Sequence, residues 1–473
     1  MNSFFDDTLK KIWNIFDQTR SYMALNEAYP YVLGILGLKS LSDRRGDDIV
    51  RWKELEAEKF ELGTILNATF SRIEADYPEY KGWFSDLNYH PGSFGEQQSW
   101  NRFLQSIISI VSTIDFAGLI QNDPLDLHNI CIKLRESIIS SKEARGDIET
   151  PDNLATLLSM LCDLQRDDKI LDPFSFSGIT LLRAATIAKN KSENAQPNLF
   201  AQTQIRDAAQ LLHLHMLIAG EDHIQVYNGD IIRQPGFADG RNLKLFDKII
   251  SIIPFGVRNW GEDIAQYDPY GRFTYGVPPT TQGDLAYLQH CIASLADDGT
   301  LVVGVPPSML FRKRSEGDIR RRIIEADIIE AVIRLPPKLL YPQTAVPVNL
   351  LIIKRNKSPS RKNKMLVIDA SRSFLPGRTQ NILRDEDISA IVKAYNSFSD
   401  SDGFSRVCSI KEIADRDFAL EVSDYITQLP EFDISLDFDR ETNKLETLNA
   451  QRQKKYEDMC NSLTDLMNHL EGK

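Results

Sequence analysis

Two segments give the clearest indication of the fold: Lys169-Ile-Leu-Asp-Pro-Phe-Ser-Phe-Ser-Gly178 and Phe246-Asp-Lys-Ile-Ile-Ser-Ile-Ile-Pro-Phe-Gly256. In the first, an apolar run ends in an acidic residue and continues into a glycine-bearing turn and an apolar helix. Such a glycine lets the backbone approach a ligand, and the start of the following helix favours negative charge. This layout is typical of a nucleotide-cofactor site. A purely structural strand, turn and helix fits the single remaining glycine, Gly178, equally well.

Short apolar runs recur along the middle of the chain and alternate with helical stretches. Continuous apolar strands separated by helices indicate a parallel sheet that helices cover on both faces. The sequence therefore predicts an α/β, Rossmann-like domain over residues 146–410, with a mostly parallel seven-stranded sheet. The candidate strands are residues 169–172, 198–202, 224–227, 246–253, 300–305, 328–335 and 348–353.

The two ends of the chain differ from this middle part. Phe5, Leu9 and Ile12 recur at three- and four-residue spacing, so residues 1–145 are predicted to form an N-terminal helical domain. Residues 411–473 are predicted to form a C-terminal helical tail. Its charged helix either docks on its own domain or packs against helices of a partner. The apolar stripe of this helix consists of Leu448, Tyr456, Met459, Leu463, Leu466 and Leu470.

The composition restricts the class of protein. Fifty-five Lys and Arg residues stand against 67 Asp and Glu residues, a formal net charge of -12. This balance disfavours unaided binding to nucleic acid, since nonspecific affinity comes mainly from cationic contacts with phosphates. A local basic surface or a basic partner stays open. Five scattered cysteines indicate reduced thiols and no metal site. We expect no signal peptide, no apolar stretch near the membrane-spanning length and a cytoplasmic location.

Taken in order, several segments resemble the modification subunit of type I restriction–modification systems, an adenine-specific N-6 DNA methylase family. The segments are Gly146-Asp-Ile-Glu-Thr-Pro151, Tyr275-Gly-Val-Pro-Pro279, Leu310-Phe-Arg-Lys-Arg314 and Ala331-Val-Ile-Arg-Leu-Pro-Pro337, and the resemblance covers almost the entire chain. It implies a class I methyltransferase fold, S-adenosylmethionine as cofactor and the amine of a flipped adenine as substrate. It also implies a hetero-oligomer on DNA with a specificity-type subunit or other defence proteins.

The resemblance assigns a cofactor pocket in which several positions depart from the family pattern. Phe176 stands where the family has a glycine that lets the backbone close on the cofactor. Thr203 stands where the family has a glutamate for the ribose hydroxyls, and Glu149 replaces a tyrosine. Cofactor binding is therefore expected to be weak. The cofactor-binding positions implied by the resemblance are Thr150, Pro151, Asp172, Phe176, Gly178, Thr203 and Asp230.

The catalytic tetrapeptide also departs from the family. Ile252-Ile-Pro-Phe255 stands where Asn-Pro-Pro-Phe or Asn-Pro-Pro-Tyr is expected. Ile252 cannot accept a hydrogen bond from the adenine amine, whereas Pro254 and Phe255 keep the turn and a ring that can stack on a base. Structural roles for the surviving residues stay open: Asp172 as a cap of the next helix, and Phe255 as a core aromatic.

The losses predict a methyltransferase homologue with little or no activity. Removing one preorganised catalytic hydrogen-bond partner lowers a rate by roughly 10²–10³, and here three separate roles are affected. The leading hypothesis is a non-catalytic subunit that binds DNA or a partner in a restriction or phage-defence complex. The alternatives are an active adenine methyltransferase with an altered site and a pure scaffold subunit.

Four other groups of charged or histidine residues stand out. Asp284 and His290 belong to a helix that resembles the family's and are not interpreted as a hydrolase pair, since no nucleophile elbow accompanies them. His213 and His215 lie in a leucine-rich helix and are interpreted as packing residues, not metal ligands. Arg312-Lys-Arg314 with Arg320-Arg-Arg322 is either a solvated helix face or a contact with DNA or a partner. The basic segment 354–364 is interpreted as a solvated hairpin connection, with DNA-backbone contact as the alternative.

Overall fold

The computed structural model describes residues 3–20, 22–46, 48–90, 97–123, 125–139, 149–192, 195–340, 344–427, 445–457 and 459. The chain divides into two compact units, residues 1–427 and residues 428–473. In the second unit, residues 445–457 are helical, and the large apolar side chains of Leu445, Leu448, Tyr456 and Met459 are exposed. The rest of the predicted stripe, Leu463, Leu466 and Leu470, lies outside the described residues.

The N-terminal part of the first unit is helical, as predicted. The central helix of this layer, α2, is buried on almost every side between Leu25 and Ser42, which explains its nearly uniform apolar sequence. The helix ends at Gly46, whose positive φ of +82° favours glycine. The helices are α1 (Ser3–Thr19), α2 (Leu25–Arg45), α3 (Trp52–Ala57), α4 (Leu62–Asp76), α5 (Gln97–Ser112), α6 (Phe116–Asn122) and α7 (Asp126–Ile139).

One apolar helical stretch lies in this layer. Gln98–Gln121 is 24 residues long and contains an 18-residue window with a mean hydropathy of 1.7, which by length and composition alone is enough to cross a membrane. The expectation that no stretch approaches this length therefore fails here. The stretch spans α5 and α6, and Phe103, Ile107 and Val111 are buried in the core of the unit. It is the only such candidate among the residues that the structure describes.

All seven predicted strands are present in one sheet, but the sheet has nine strands in the order β11-β10-β8-β9-β7-β6-β1-β2-β3. Only β9 and β11 run antiparallel to their neighbours. A short β4–β5 hairpin lies outside it. The strands are β1 (Lys169–Asp172), β2 (Asn198–Thr203), β3 (Gln225–Asn228), β4 (Ala238–Asp239), β5 (Asn242–Leu243), β6 (Phe246–Ile252), β7 (Leu295–Val305), β8 (Ile329–Arg334), β9 (Asn349–Lys354), β10 (Lys364–Asp369) and β11 (Ser405–Ser409).

The two additional strands correct the interpretation of the segment 354–364. It is not a hairpin, because the strands that it connects, β9 and β10, lie on opposite sides of β8. Three of its cations, Lys354, Lys357 and Arg361, are also partly buried and paired, whereas Arg355, Lys362 and Lys364 are exposed. Lys357 Nζ lies 2.6 Å from a carboxylate oxygen of Asp327, and Arg361 Nη1 lies 3.3 Å from the buried Glu330. Because these charges are neutralised within the fold, they offer little to a DNA backbone.

The remaining helices cover the sheet. They are α8 (Asp152–Leu161), α9 (Ile179–Lys191), α10 (Arg206–Ala219), α11 (Glu262–Ala265), α12 (Asp284–Ala293), α13 (Ser315–Glu325), α14 (Asp385–Ser397) and α15 (Ile410–Ala414), and short 3-10 helices form at Pro78–Tyr80, Pro307–Leu310 and Val422–Asp424. The helical layer joins this part through α2 and α10. A buried carboxylate anchors the contact: Asp222 accepts hydrogen bonds from Arg44, Arg45 and Tyr80 at 2.8–3.1 Å. The division into separate domains at residue 145 remains a prediction.

Candidate functional site

The candidate site lies where β1 and β6 end side by side. The strand order reverses at this point, since the chain adds β2 and β3 on one side of β1 and then crosses to β6 and β7 on the other. Ligands of open α/β sheets bind in the crevice outside the carboxyl ends of strands at such a switch point. Asp172 ends β1 and Ile252 ends β6, so the topology brings the two predicted motifs together.

A cavity of about 300 Å³ occupies this crevice. It combines residues of both motifs, namely the loop after β1, the end of β2 and the tetrapeptide after β6. None of the described residues that line it carries a charge. They are Pro173, Phe174, Ser175, Phe176, Thr203, Gln204, Ile205, Ile231, Ile252, Ile253, Pro254 and Phe255.

Asp172 lies behind the cavity and does not line it. Its carboxylate accepts hydrogen bonds from the Ser251 hydroxyl and, at 3.2 Å, from the backbone N–H of Phe174. Burial raises the pKa of Asp172 to about 7, although the Ser251 hydrogen bond favours the charged form. The carboxyl does not cap helix α9, because the N-cap of that helix is Gly178, without a side-chain cap. Its described role is to tie the ends of β1 and β6 together.

Gly178 is required by both conformation and space. Its φ is +84°, in the left-handed region that favours glycine. A Cβ atom here would lie 2.8 Å from the terminal methyl of Met216 and 3.2 Å from Leu212. Gly178 therefore lets α9 pack closely on α10, and this contact accounts for its presence without any ligand.

Phe176 lines the cavity and is held from behind by a buried ion pair. The guanidinium carbon of Arg135 lies 5.0 Å from the centre of the Phe176 ring, a cation–π contact. Arg135 donates to Glu149 over 3.0 Å, and Glu149 accepts a 2.6 Å hydrogen bond from the Ser177 hydroxyl. Both charged residues are less than 9% exposed. The pair fixes the loop after β1 and keeps the ring of Phe176 in place.

His215 completes the same support. Its Nε2 lies 2.8 Å from the Tyr29 hydroxyl, and its Nδ1 lies 2.8 Å from the carbonyl oxygen of Ser177. Burial lowers the pKa of His215 to about 4, so the ring is neutral at pH 7. His213 instead stacks on Trp83, with ring centroids 4.6 Å apart. His213 thus serves packing, as interpreted from the sequence, and His215 adds two hydrogen bonds to its packing role.

Of the other predicted cofactor positions, Thr203 lines the cavity and the rest lie outside its lining. Thr203 is buried and lines the cavity, and its hydroxyl oxygen accepts from the backbone N–H of Ile205 at 3.3 Å. Asp230 accepts from two backbone N–H groups of the following turn at 2.8 and 2.9 Å. Thr150 and Pro151 are half-buried before α8, where Pro151 takes the N-cap position. Neither Asp230 nor the Thr150–Pro151 pair lines the cavity.

The tetrapeptide after β6 keeps its turn. Ile252 is buried beside Gly304 of β7, where an added Cβ would lie 2.9 Å from the Ile252 side chain. Pro254 and Phe255 line the cavity, and Phe255 also packs against both halves of the core. Gly256 has a φ of +64°, and its N–H donates to a carboxylate oxygen of Asp284 at 2.8 Å.

The sequence did not predict the roles of two site residues, Asp284, interpreted only as part of a family-like helix, and Arg135. Asp284 is fully buried, and its second oxygen pairs with Arg312 at 3.1 Å, so it fixes the tetrapeptide from below. Arg135 supports Phe176 from helix α7. For Asp284 the available signal was a single carboxylate in an otherwise largely apolar helix, because a buried charge requires a nearby partner. Helix α7 carries other charges beside Arg135, so its sequence gave no such signal.

Several basic residues around α13 form ion pairs and hydrogen bonds within the fold. Arg312 pairs with Asp284 and Glu316, each at 3.1 Å. Arg320 donates to three backbone carbonyl oxygens, and Arg322 donates to the carbonyl oxygen of Tyr275 at 2.9 Å. These contacts explain the cluster structurally and leave fewer free cations for DNA than the sequence suggests.

Comparisons with known proteins agree with this architecture. The family model described as N-6 DNA Methylase matches residues 134–433. A type I restriction enzyme methylase subunit, MjaVII of Methanocaldococcus jannaschii, is 28% identical over 428 residues, covering 88% of this chain and 70% of the relative.

Two solved structures share the fold. The type I restriction-modification methyltransferase subunit from Streptococcus thermophilus has a TM-score of 0.76 at 23% identity, covering 89% of this chain and all of that one. A chain from a structure of the type I R-M system, solved to explain complex assembly and conformational transition, has a TM-score of 0.64 at 17% identity. It covers 96% of this chain and 98% of that one. The fold is therefore that of class I methyltransferases.

Proposed function

The chain belongs to the N-6 DNA methylase family, and we propose that it is a methylase-type subunit that has lost methyl transfer and serves a DNA-bound complex as a binding component. The observation that carries this proposal is the cavity at the switch point. Its described lining residues are uncharged, and Phe176 fills part of the space next to the loop that would hold a cofactor. The alternative, an active methyltransferase with an altered site, is decided by the experiments below.

The residues present do not fit S-adenosylmethionine. This cofactor carries a carboxylate, an ammonium, a sulfonium and two ribose hydroxyls, each of which needs a polar or charged partner when it is buried. At the end of β2, where the family resemblance places a ribose-binding carboxylate, Thr203 offers a hydroxyl that already accepts a backbone hydrogen bond. The nearest cation behind the cavity, Arg135, is already paired with Glu149 and covered by Phe176.

The position that would contact the adenine amine has also lost its hydrogen-bond acceptor. Ile252 presents an aliphatic side chain where an amide would accept hydrogen bonds from an adenine amine. A buried amine left without an acceptor costs about 1–3 kcal/mol, and loss of one preorganised partner lowers the rate by roughly 10²–10³. The turn of Pro254 and Phe255 is retained through Asp284, so the damage concerns chemistry more than shape.

The proposed binding role is supported by the relatives and by the second compact unit. The similar chains are named methylase or methyltransferase subunits of type I systems, and one comes from a structure concerned with complex assembly. In this chain, the exposed apolar residues of the helix at 445–457 provide a surface for a partner's helix. We infer a hetero-oligomer with a specificity-type subunit or another defence protein, located where the DNA is, in the cytoplasm.

Methyl transfer is the first test. The chain is assembled with its genetically linked partner subunits and incubated with DNA and S-adenosylmethionine carrying a labelled methyl group. The proposal expects no label in the DNA above that of a sample lacking the chain. Label that appears only when the chain is present would establish the active alternative. The mixture must contain no other active methylase subunit as a contaminant.

A restoration experiment separates a blocked pocket from a wrongly assigned one. The combined change Phe176→Gly, Thr203→Glu and Ile252→Asn should recover measurable cofactor binding if these three side chains account for the loss. The matched control Phe176→Leu, with the other two changes kept, leaves the space filled and should recover less. Equal behaviour of the two variants would show that Phe176 does not block the cofactor.

Partner binding has its own test. Leu448→Asp with Tyr456→Asp places charge on the exposed apolar side chains and should abolish co-purification with the partner. The control Lys454→Asp changes a residue on the opposite side of the same helix, given 3.6 residues per turn. If the two variants retain the partner equally well, this helix is not the docking surface.

A further inference from the structure

We propose that a second cavity, at the amino ends of the parallel strands, is a binding site for a small phosphate ester. This amino-edge cavity lies at the opposite edge of the sheet from the crevice described above. It is lined by Glu330, the second residue of β8, and by Lys354, the last residue of the antiparallel strand β9. The inference is independent of the proposed function, because methyl transfer and its loss concern the other edge of the sheet.

The amino-edge cavity has an apolar part and a polar part. Its volume is about 730 Å³, within the range of small-molecule sites, roughly 300–1,000 Å³. Three helices supply apolar lining, with Met160 from α8, Ile187 from α9 and Val392 from α14. The connection between β9 and β10 supplies polar and cationic lining between residues 354 and 361. A ligand that matches both parts has an apolar group and a charged group.

The charge balance of this lining favours an anion. Glu330 is 1% exposed and is the carboxylate of two cations at once: Lys354 Nζ lies 3.6 Å from one oxygen, and Arg361 Nη1 lies 3.3 Å from the other. The remaining cations of the lining each have a carboxylate of their own, namely Asp163 for Lys191 and Asp327 for Lys357. The two cations that share Glu330 therefore leave one positive charge without a carboxylate of its own.

Lys354 has hydrogen-bond donors to spare. Its distance of 3.6 Å from Glu330 is longer than a hydrogen bond, and its ammonium makes none with the described residues. The other three cations each donate to a backbone carbonyl oxygen, which gives them a structural role: Lys191 to Leu164, Lys357 to Lys364 and Arg361 to Asn396. Lys354 has no such role, so an anionic oxygen can bind its three N–H donors without breaking a hydrogen bond.

Arg361 is held in position next to Lys354. Its guanidinium carbon lies 5.4 Å from the ring centre of Tyr395 and 4.5 Å from that of Phe398. The Tyr395 hydroxyl in turn donates a hydrogen bond to the Glu330 carboxylate. Because these contacts fix the guanidinium before any ligand arrives, binding requires little ordering of this side chain.

A phosphate ester fits these groups better than a DNA backbone does. Lysine and arginine both bind phosphate oxygens through charge-assisted hydrogen bonds, and the nearby Asn356, Ser358 and Ser360 add amide and hydroxyl groups for the remaining oxygens. The side chains of Lys354 and Arg361 are only 28% and 19% exposed. A small molecule that enters the cavity reaches both of them, whereas the phosphates on the outside of a duplex do not.

Calorimetry with defined probes tests the inference. The full chain is titrated at low salt with adenosine monophosphate, with phenyl phosphate and with inorganic phosphate, and separately with a DNA duplex. We expect saturable binding of both esters and weaker binding of inorganic phosphate, which has no group to place against Met160, Ile187 and Val392. Absence of saturable binding for both esters would overturn the inference, and so would inorganic phosphate that binds as tightly as the esters.

Variants locate the bound ester. Lys354→Met keeps the length of the side chain and should weaken the binding by about ten-fold or more, as expected for a hydrogen bond to a charged group. Glu330→Gln should strengthen it, because the change removes a negative charge that competes with the ligand. The control Lys313→Met removes an exposed lysine outside the cavity lining and should leave the affinity unchanged. Circular dichroism and melting temperature establish that each variant is folded, and Lys354→Met decides alone if Glu330→Gln does not fold.

Two further outcomes would contradict the inference. If Lys354→Met binds the esters as tightly as the original chain, they bind elsewhere, for example in the crevice beside β1 and β6. If the DNA duplex binds and Lys354→Met weakens that binding as well, the cations serve nucleic acid and not a small molecule. Neither outcome bears on whether methyl transfer has been lost.

Discussion

Asp172→Asn should make the protein less sensitive to rising pH. The carboxyl is 4% exposed, and burial raises its pKa from 3.8 to about 7. A group with a raised pKa contributes stability that is fully present below its unfolded pKa and is lost as the pH rises through its folded pKa. The loss therefore falls between about pH 4 and pH 7. Asparagine can still accept the hydrogen bonds from Ser251 and Phe174 and carries no charge at any of these pH values.

The size of the effect follows from the shift. Each pH unit well inside the interval between the two pKa values is worth about 1.4 kcal/mol. Because the folded carboxyl is already half ionised near pH 7, the free energy of unfolding of the Asn variant should rise relative to the original chain by about 2 kcal/mol from pH 5 to pH 7. Urea unfolding followed by circular dichroism at pH 5, 6 and 7 measures this difference.

Asp263→Asn is the control for this prediction. Asp263 is exposed, and a hydrogen bond from Arg233 lowers its pKa, so it stays ionised from pH 5 to pH 7. Asp263→Asn should therefore shift stability by the same amount at all three pH values. If the curve for Asp172→Asn runs parallel to that of the original chain, Asp172 is ionised in the folded protein and the account of an uncharged pocket floor is wrong.

Three further predictions concern stability. Asp222→Asn should lower the free energy of unfolding by about 3 kcal/mol, since it leaves guanidinium groups without their buried partner. Gly178→Ala should cost about 2–4 kcal/mol, from a positive φ and a steric clash, whereas Gly240→Ala, with a positive φ but open space around it, should cost only about 1–2 kcal/mol. Glu149→Gln should cost about 3 kcal/mol because Arg135 stays buried and unpaired. Urea unfolding at pH 7 measures all four variants.

Each of these predictions has a contrary outcome. If Asp222→Asn lowers the free energy of unfolding by less than about 1 kcal/mol, Asp222 contributes no more than an ordinary surface ion pair does, and it does not anchor the two layers. Equal losses for the two glycine variants would show that the contact with α10 is not tight. A Glu149→Gln variant as stable as the original chain would mean that the ion pair behind Phe176 does not hold the loop.

Six of the seven predicted strands contain an apolar run, as a strand buried on both faces must. The seventh, β3, is an edge strand whose sequence, Gln225-Val-Tyr-Asn228, is more polar and largely exposed. Of the two strands beyond these seven, β10 has an equally clear apolar run, Met365-Leu-Val-Ile368, that could have been predicted, whereas β11 could not. β11 reads Ser405-Arg-Val-Cys-Ser409, a polar sequence for an edge strand, and only its pairing with β10 makes it a strand. Pairing between distant segments is set by tertiary packing and not by local propensity.

The lining of the candidate site could be predicted from the sequence, but the residues that support it could not. Phe176, Thr203 and Ile252 line one cavity because they follow or end neighbouring strands, which the order of the segments indicates. The support behind them was not predictable, because Arg135 comes from the helical layer and Asp284 from a later helix. Such partners depend on how layers pack. The sequence shows only that Asp284 is the single carboxylate of a largely apolar helix, whereas Arg135 is one of several charges in its helix.

The central claim is that this family member does not bind the methyl donor, and one measurement tests it most directly. Isothermal titration calorimetry of the purified full chain with S-adenosylmethionine should show no saturable heat up to millimolar concentrations, on the order of the weakest specific affinities. A saturating isotherm with one cofactor per chain would contradict the account, because it would mean that Phe176 and the uncharged lining leave the cofactor site intact.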